Sequence, residues 1–171
     1  MTPADEREYR DFVAARLEPL RRAAYLLCRD WHTADDLVSI TIGKVYRHWR
    51  RVRAADNVDA YVRGVLTHAW LDERRRPWRR EEPAAEPPER GTTAAPGAAA
   101  VAERLDLLTL LARLPRRQRA VVVLRFYCDL SVDATAEILG ISAGTVKSYG
   151  ARGLASLRLL MPHNETVGES S

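Results

Sequence analysis

Thr145, Lys147, Ser148 and Arg152 lie within eight positions of one another, with Ser142, Ala143 and Gly144 just ahead of them. Hydroxyl and cationic groups at such spacing can reach phosphates and base edges, and small residues let a backbone come close to a polyanion. The surrounding segment supplies the frame. Ser131–Leu157, SVDATAEILGISAGTVKSYGARGLASL, reads as helix, tight reversal, helix. The first helix starts at Ser131 and ends with Ile138–Leu139. Gly140 offers the positive φ that a tight reversal needs, and Ile141 fills the gap between the helices. Ser142 caps the second helix, whose N-terminus favours phosphate. Val146, Leu154 and Leu157 then face inward and the polar set outward. A helical corner with solvated polar groups is the bland alternative. The pattern A-x-x-L-G-I-S-x-x-T-V favours a DNA-binding helix-turn-helix instead. Gly150, inside the second helix, costs on the order of 1 kcal/mol relative to alanine. A close backbone contact or a tolerated defect would account for it.

The rest of the 171-residue chain adds little other chemistry. Two cysteines, Cys28 and Cys128, and four scattered histidines show no metal-ligand spacing, so no metal or cofactor is expected. The cysteines read as buried thiols. No nucleophile elbow, P-loop, GxGxxG or HExxH is present, which argues against an enzyme. The net charge of +4 and pI near 9.4 favour a polyanionic partner. Of the 27 basic residues only Lys44 and Lys147 are lysines. Apolar runs such as Ala120–Leu124 are far shorter than the ~20 residues of a membrane span. Met1–Arg10 lacks a signal-peptide core, so a cytoplasmic location without membrane insertion is expected.

These residues need helices to position them, and the chain divides accordingly. Residues 1–76 read as three helices. Val13, Leu17, Leu20, Ala24 and Leu27 form one apolar stripe. A second helix begins after Thr33 as N-cap, with Asp35 and Asp36 in its first turn, and runs to Val52. A third starts near Asn57, carries Val58, Val62, Val65, Leu66 and Ala69 inward, and ends before Pro77. Residues 77–100 hold five prolines and no large aliphatic residue, which reads as a flexible linker. Residues 101–161 read as four helices, and 162–171 as a disordered tail. No period-two alternation occurs, so the fold class is all-α: two small helical domains joined by a linker.

Leu114–Leu157 resembles region 4 of the ECF (extracytoplasmic function) sigma factors, with wording nearest the actinobacterial SigE-like branch. Independently, 34–52 (ADDLVSITIGKVYRHWRRV) and 56–76 (DNVDAYVRGVLTHAWLDERRR) resemble region 2. The resemblance implies a factor that gives RNA polymerase core its recognition of −10 and −35 promoter elements. The implied partners are the β′ clamp coiled coil, the β flap, promoter DNA and, in some members, an anti-sigma factor. It places Asp35, Asp36, Leu37, Val38, Thr41 and Ile42 at the clamp, with Ser39 where glutamine is usual. It assigns −10 contacts, including a flipped base, to Asp56, Asn57, Tyr61, Arg63, Thr67, His68, Arg74 and Arg75. His68 stands where asparagine is common. Tyr61 and Trp70 are equally readable as core or as DNA contacts. The −35 element falls to Ser131, Ser142, Ala143, Gly144, Thr145, Lys147, Ser148 and Arg152.

Overall fold

The computed structural model describes residues 1–73 and 107–160; the linker 77–100, the tail 162–171 and the basic residues Arg74 and Arg75 lie outside them. The first helix, α1 (Pro3–Cys28), starts from a capping box. The Thr2 hydroxyl accepts the Asp5 N–H, while the Asp5 carboxylate accepts the Thr2 N–H at 2.9 Å. Its inward stripe is Leu20, Ala23, Ala24 and Leu27. Leu17, expected there, is 40% exposed, and Val13 only half-buried, because toward the N-terminus the side chains that pack inward are Tyr9 and Phe12 instead.

The second helix, α2 (Trp31–Arg47), begins earlier than the sequence suggests. Asp30, not Thr33, is the N-cap: its carboxylate accepts both the Thr33 N–H at 3.0 Å and the Thr33 hydroxyl at 2.7 Å. Asp35 and Asp36 therefore sit beyond the first turn. The expected long second helix also breaks at His48, and a short α3 (Trp49–Arg53) follows. Trp49 is buried against Tyr9 and Phe12, with ring centroids 5.5 and 5.0 Å away. The break turns this aromatic group inward. Asn57 caps α4 (Val58–Glu73) by accepting the Ala60 N–H at 2.9 Å. Val62, Leu66, Ala69 and Trp70 are its core residues.

In the second unit, α5 (107–113) leads through Pro115 into α6 (Arg116–Val122), which ends in a π-turn, Val123–Tyr127. Next come α7 (Val132–Leu139) and α8 (Ala143–Leu160). Among the described residues every regular element is helical. The two units share one core: Leu27, Leu37, Val62, Leu66 and Trp70 of the first join Val121, Val123, Leu124, Leu139 and Val146 of the second. Leu110, Leu111, Leu114, Val122 and Leu157 form a smaller cluster behind it.

Candidate nucleic-acid and polymerase interface

The helix-turn-helix is built as its sequence suggests. Gly140 adopts φ 64°, a left-handed conformation that ends α7. The Ser131 hydroxyl caps α7 by accepting the Ala134 N–H, and the Ser142 hydroxyl accepts the Thr145 N–H at 3.1 Å to start α8. Ser142 and Thr145 hydroxyls also meet at 2.8 Å. Val146 and Leu157 are buried, Leu154 half-buried. Gly144, Lys147 and Arg152 are exposed, while Ala143, Thr145 and Ser148 are partly so. One polar face is thus brought together at the start of α8. Gly150 is not on it. A Cβ there would point at Val121 and Phe126, 3.7 and 3.8 Å away, so this residue faces α6 and the π-turn.

The sequence does not single out Gly153, yet its role is the sharper one. A Cβ there would lie 2.5 Å from a Val122 methyl, so α8 can approach α6 this closely only without a side chain. Arg152 lines an open cleft of about 480 Å³ with Leu71, Arg116, Arg117 and Tyr149.

On α2 the expected polymerase-facing set divides. Leu37 and Thr41 are fully buried and Val38 nearly so; these three are core residues, not surface contacts. The Thr41 hydroxyl donates to the Leu37 carbonyl at 2.7 Å, one turn back in its own helix. Ile42 is half-buried, and its carbonyl accepts the Tyr9 hydroxyl at 2.8 Å. Asp35, Asp36 and Ser39 are exposed. With His32 and Gly43 they follow the three-to-four spacing of one helix face. Asp35 pairs with Arg21 at 2.6 Å, and Arg21 lies 4.4 Å from the ring centroid of Trp31, itself stacked on Tyr25 at 3.9 Å.

The α4 set divides too. Asp56 and Asn57 are exposed and Tyr61 is half-buried. Thr67 is fully buried, and its hydroxyl donates to the Arg63 carbonyl at 2.8 Å, which removes it from any DNA-facing surface. Trp70 is core, 2% exposed, beneath the Arg116 guanidinium at 4.1 Å. Arg63 and His68 engage the second unit: Arg63 donates to Cys128 Sγ at 3.4 Å, and the His68 Nε2 donates to the Ile138 carbonyl.

Cys28 and Cys128 are free and half-buried. Burial pushes the Cys28 thiol up to about 11 and also raises that of Cys128, so both are protonated at neutral pH. Among the described residues no helix is long and apolar enough to cross a membrane.

A helix-turn-helix with an exposed polar start, joined through one core to a second helical unit, defines a DNA-binding factor of two helical parts. Residues 12–80 match the family described as Sigma-70 region 2, and residues 104–157 match Sigma-70, region 4. The chain is 34% identical to an RNA polymerase sigma-E factor of Streptomyces coelicolor, over 88% of this chain and 84% of that protein. It is 33% identical to the ECF RNA polymerase sigma factor SigM of Mycobacterium tuberculosis, over 86% and 74%. The chain belongs to the ECF family of RNA polymerase sigma factors. Its fold is similar to that of the sigma factor RpoE of Bartonella quintana, solved in complex with the anti-sigma factor NepR. The TM-score is 0.70 at 23% identity, with 90% of this chain and 96% of that one covered. CnrH, solved with the cytosolic domain of CnrY, gives 0.65 at 21%.

Proposed function

We infer that this sigma factor acts in the cytoplasm, without chemistry of its own, by giving RNA polymerase core two DNA-reading helices. The division is residues 1–76 for core binding and the −10 element and 101–161 for the −35 element, joined by 77–100. The start of α8 is the −35 reader. Ser142 caps it, Ala143 and Gly144 admit a phosphate close to the first-turn backbone, and Thr145 and Lys147 reach base edges. Ser131, Ser148 and Arg152 flank that contact. Asp56, Asn57 and Tyr61, with Arg63 and His68 further along α4, serve the −10 element. Arg74 and Arg75, which follow α4 in sequence, add positive charge for phosphate. Asp35, Asp36 and Ser39 present the clamp-binding face, which Leu37, Val38 and Thr41 support from inside. An acidic face suits an arginine-bearing helical partner.

The observation that carries this reading is the capped, polar and exposed first turn of α8 in a chain that matches both sigma regions. The test is to add the purified protein to sigma-free core polymerase and map transcription starts across a genomic promoter library. Starts confined to promoters with shared −35 and −10 sequences are expected. Tight duplex binding by the isolated protein as a dimer, with no transcription from core, would replace this reading with that of a repressor.

A further inference from the structure

The charge exposed along α2 changes sign. Asp35, Asp36 and Ser39 face outward in its first half, whereas its end and the short α3 expose Arg47, His48, Arg50 and Arg51. An arginine-bearing partner that suits the first half is repelled by the second. With Tyr46 and Trp49, these four residues line an open cleft of about 340 Å³, and no acidic residue lines it. The carboxylates of the neighbouring α1 are committed elsewhere: Arg53 holds Asp5 at 2.7 Å and Glu8 at 2.9 Å. Arg47, Arg50 and Arg51 form no ion pair among the described residues.

The cleft also carries an aromatic surface. Tyr46 is 43% exposed, and its ring stands edge-on to Tyr9 with centroids 5.1 Å apart, so it is anchored yet open on one side. Trp49, buried behind it, has an Nε1 donor without a hydrogen-bond partner among the described residues. Uncommitted guanidinium groups beside an anchored ring suit single-stranded nucleic acid, whose phosphates meet the cations while a base stacks on the ring. An acidic peptide matches the cations alone. Position favours the strand as well. Only residues 54–57 separate α3 from α4, and among them Asp56 and Asn57, assigned above to the −10 element, are exposed. Arg51 precedes Asp56 by five residues, a reach of at most about 18 Å.

We propose that the cleft between the end of α2 and α3 binds the melted DNA strand where it leaves the −10 element, with Arg47, Arg50 and Arg51 on phosphates and a base against Tyr46. The proposal rests on the assignment of the −10 element to the start of α4, and it adds nucleotides outside that element. Contacts to backbone and to the face of a base carry no sequence preference of their own.

The test uses reconstituted holoenzyme and single-stranded oligonucleotides that hold the −10 element alone or lengthened by a few nucleotides on one side or the other. One lengthened strand should bind roughly tenfold tighter than the bare element, whatever sequence is added. Arg50→Gln with Arg51→Gln should remove that gain. It should also lower the slope of log affinity against log salt by roughly 1.4, or about 0.7 for each phosphate no longer neutralised. Tyr46→Leu should lose most of the gain and keep the slope. Both variants should retain helicity by circular dichroism and the parent's preference on the bare element. A gain that survives in both variants overturns the proposal. So does weaker capture of core polymerase with oligonucleotide binding intact, which would give the cleft to an acidic surface of the enzyme. Inorganic phosphate at constant ionic strength should leave the gain in place; its loss would make the cleft a free-anion site and overturn the proposal too. The two readings fail separately. If the bare element is bound without sequence preference, the assignment to α4 fails and the cleft goes with it. If that preference holds and neither lengthened strand gains, the cleft alone fails.

Discussion

Lys147 and Arg152 both carry exposed cations on α8, but their settings differ. Lys147 stands one turn from the capped start, where a groove-bound helix meets base edges. Arg152 lies further along, in the cleft with Arg116 and Arg117, where phosphate is the fitting partner. Lys147→Ala should therefore cost ~1–3 kcal/mol at one −35 position and relax preference there. Arg152→Ala should weaken all promoters alike. Holoenzyme initiation on promoters mutated singly through the −35 element distinguishes them, and a shift of preference with Arg152→Ala alone would reverse the roles. At Leu37 and Asp36, neighbours in sequence, the expected outcomes also part. Leu37→Ala should cost ~2–5 kcal/mol of stability, read by denaturant unfolding, because the side chain is wholly buried. Asp36→Arg with Ser39→Arg should leave unfolding nearly unchanged and weaken capture of core polymerase. Resemblance alone could not separate these residues, since a motif runs through both faces of a helix; burial does.

At the scale of elements, the helix starts at Asn57 and Ser131, the cap at Ser142 and the turn at Gly140 were legible because each is set by a residue and its own backbone. The break at His48 and the close approach at Gly153 were not, because each depends on a partner far along the chain: Tyr9 and Phe12 for Trp49, Val122 for Gly153. Gly153→Ala tests the second. Helix propensity alone would stabilise α8 by ~1 kcal/mol, whereas overpacking against Val122 costs ~1–3 kcal/mol. Net destabilisation by thermal melting is expected, and Gly153→Ala with Val122→Ala should recover part of the overpacking cost. The start of α1 gives a pH signature. Hydrogen bonding to Thr2, chiefly its backbone N–H, lowers the Asp5 pKa from the ordinary 3.8, with Arg53 at 2.7 Å adding to it. A carboxyl depressed on folding contributes stability that is full above its unfolded pKa and lost as pH falls through the folded one. The melting difference between wild type and Asp5→Asn should be greatest above about pH 4 and vanish in stronger acid.

For the whole molecule, two helical regions were legible in the sequence, while their mutual packing left no local trace. The residues that make it had other plausible roles: Arg63 and His68 as DNA contacts, Trp70 as core or stacking ring. Only the positions of α6 and α7 on the first unit reveal their second occupation. One consequence concerns ionic strength. The described partners of Arg119 are backbone carbonyls drawn from both units, neutral dipoles at the edge of the core. Dissolved ions screen such buried contacts weakly, whereas each lysine or arginine on phosphate owes its affinity largely to released counterions and loses it steeply as salt rises. Added salt should thus remove the factor from DNA while leaving the seam between its units closed. Rising salt would thereby shift this protein from DNA toward the form in which its units lie against one another, without any change in its amount.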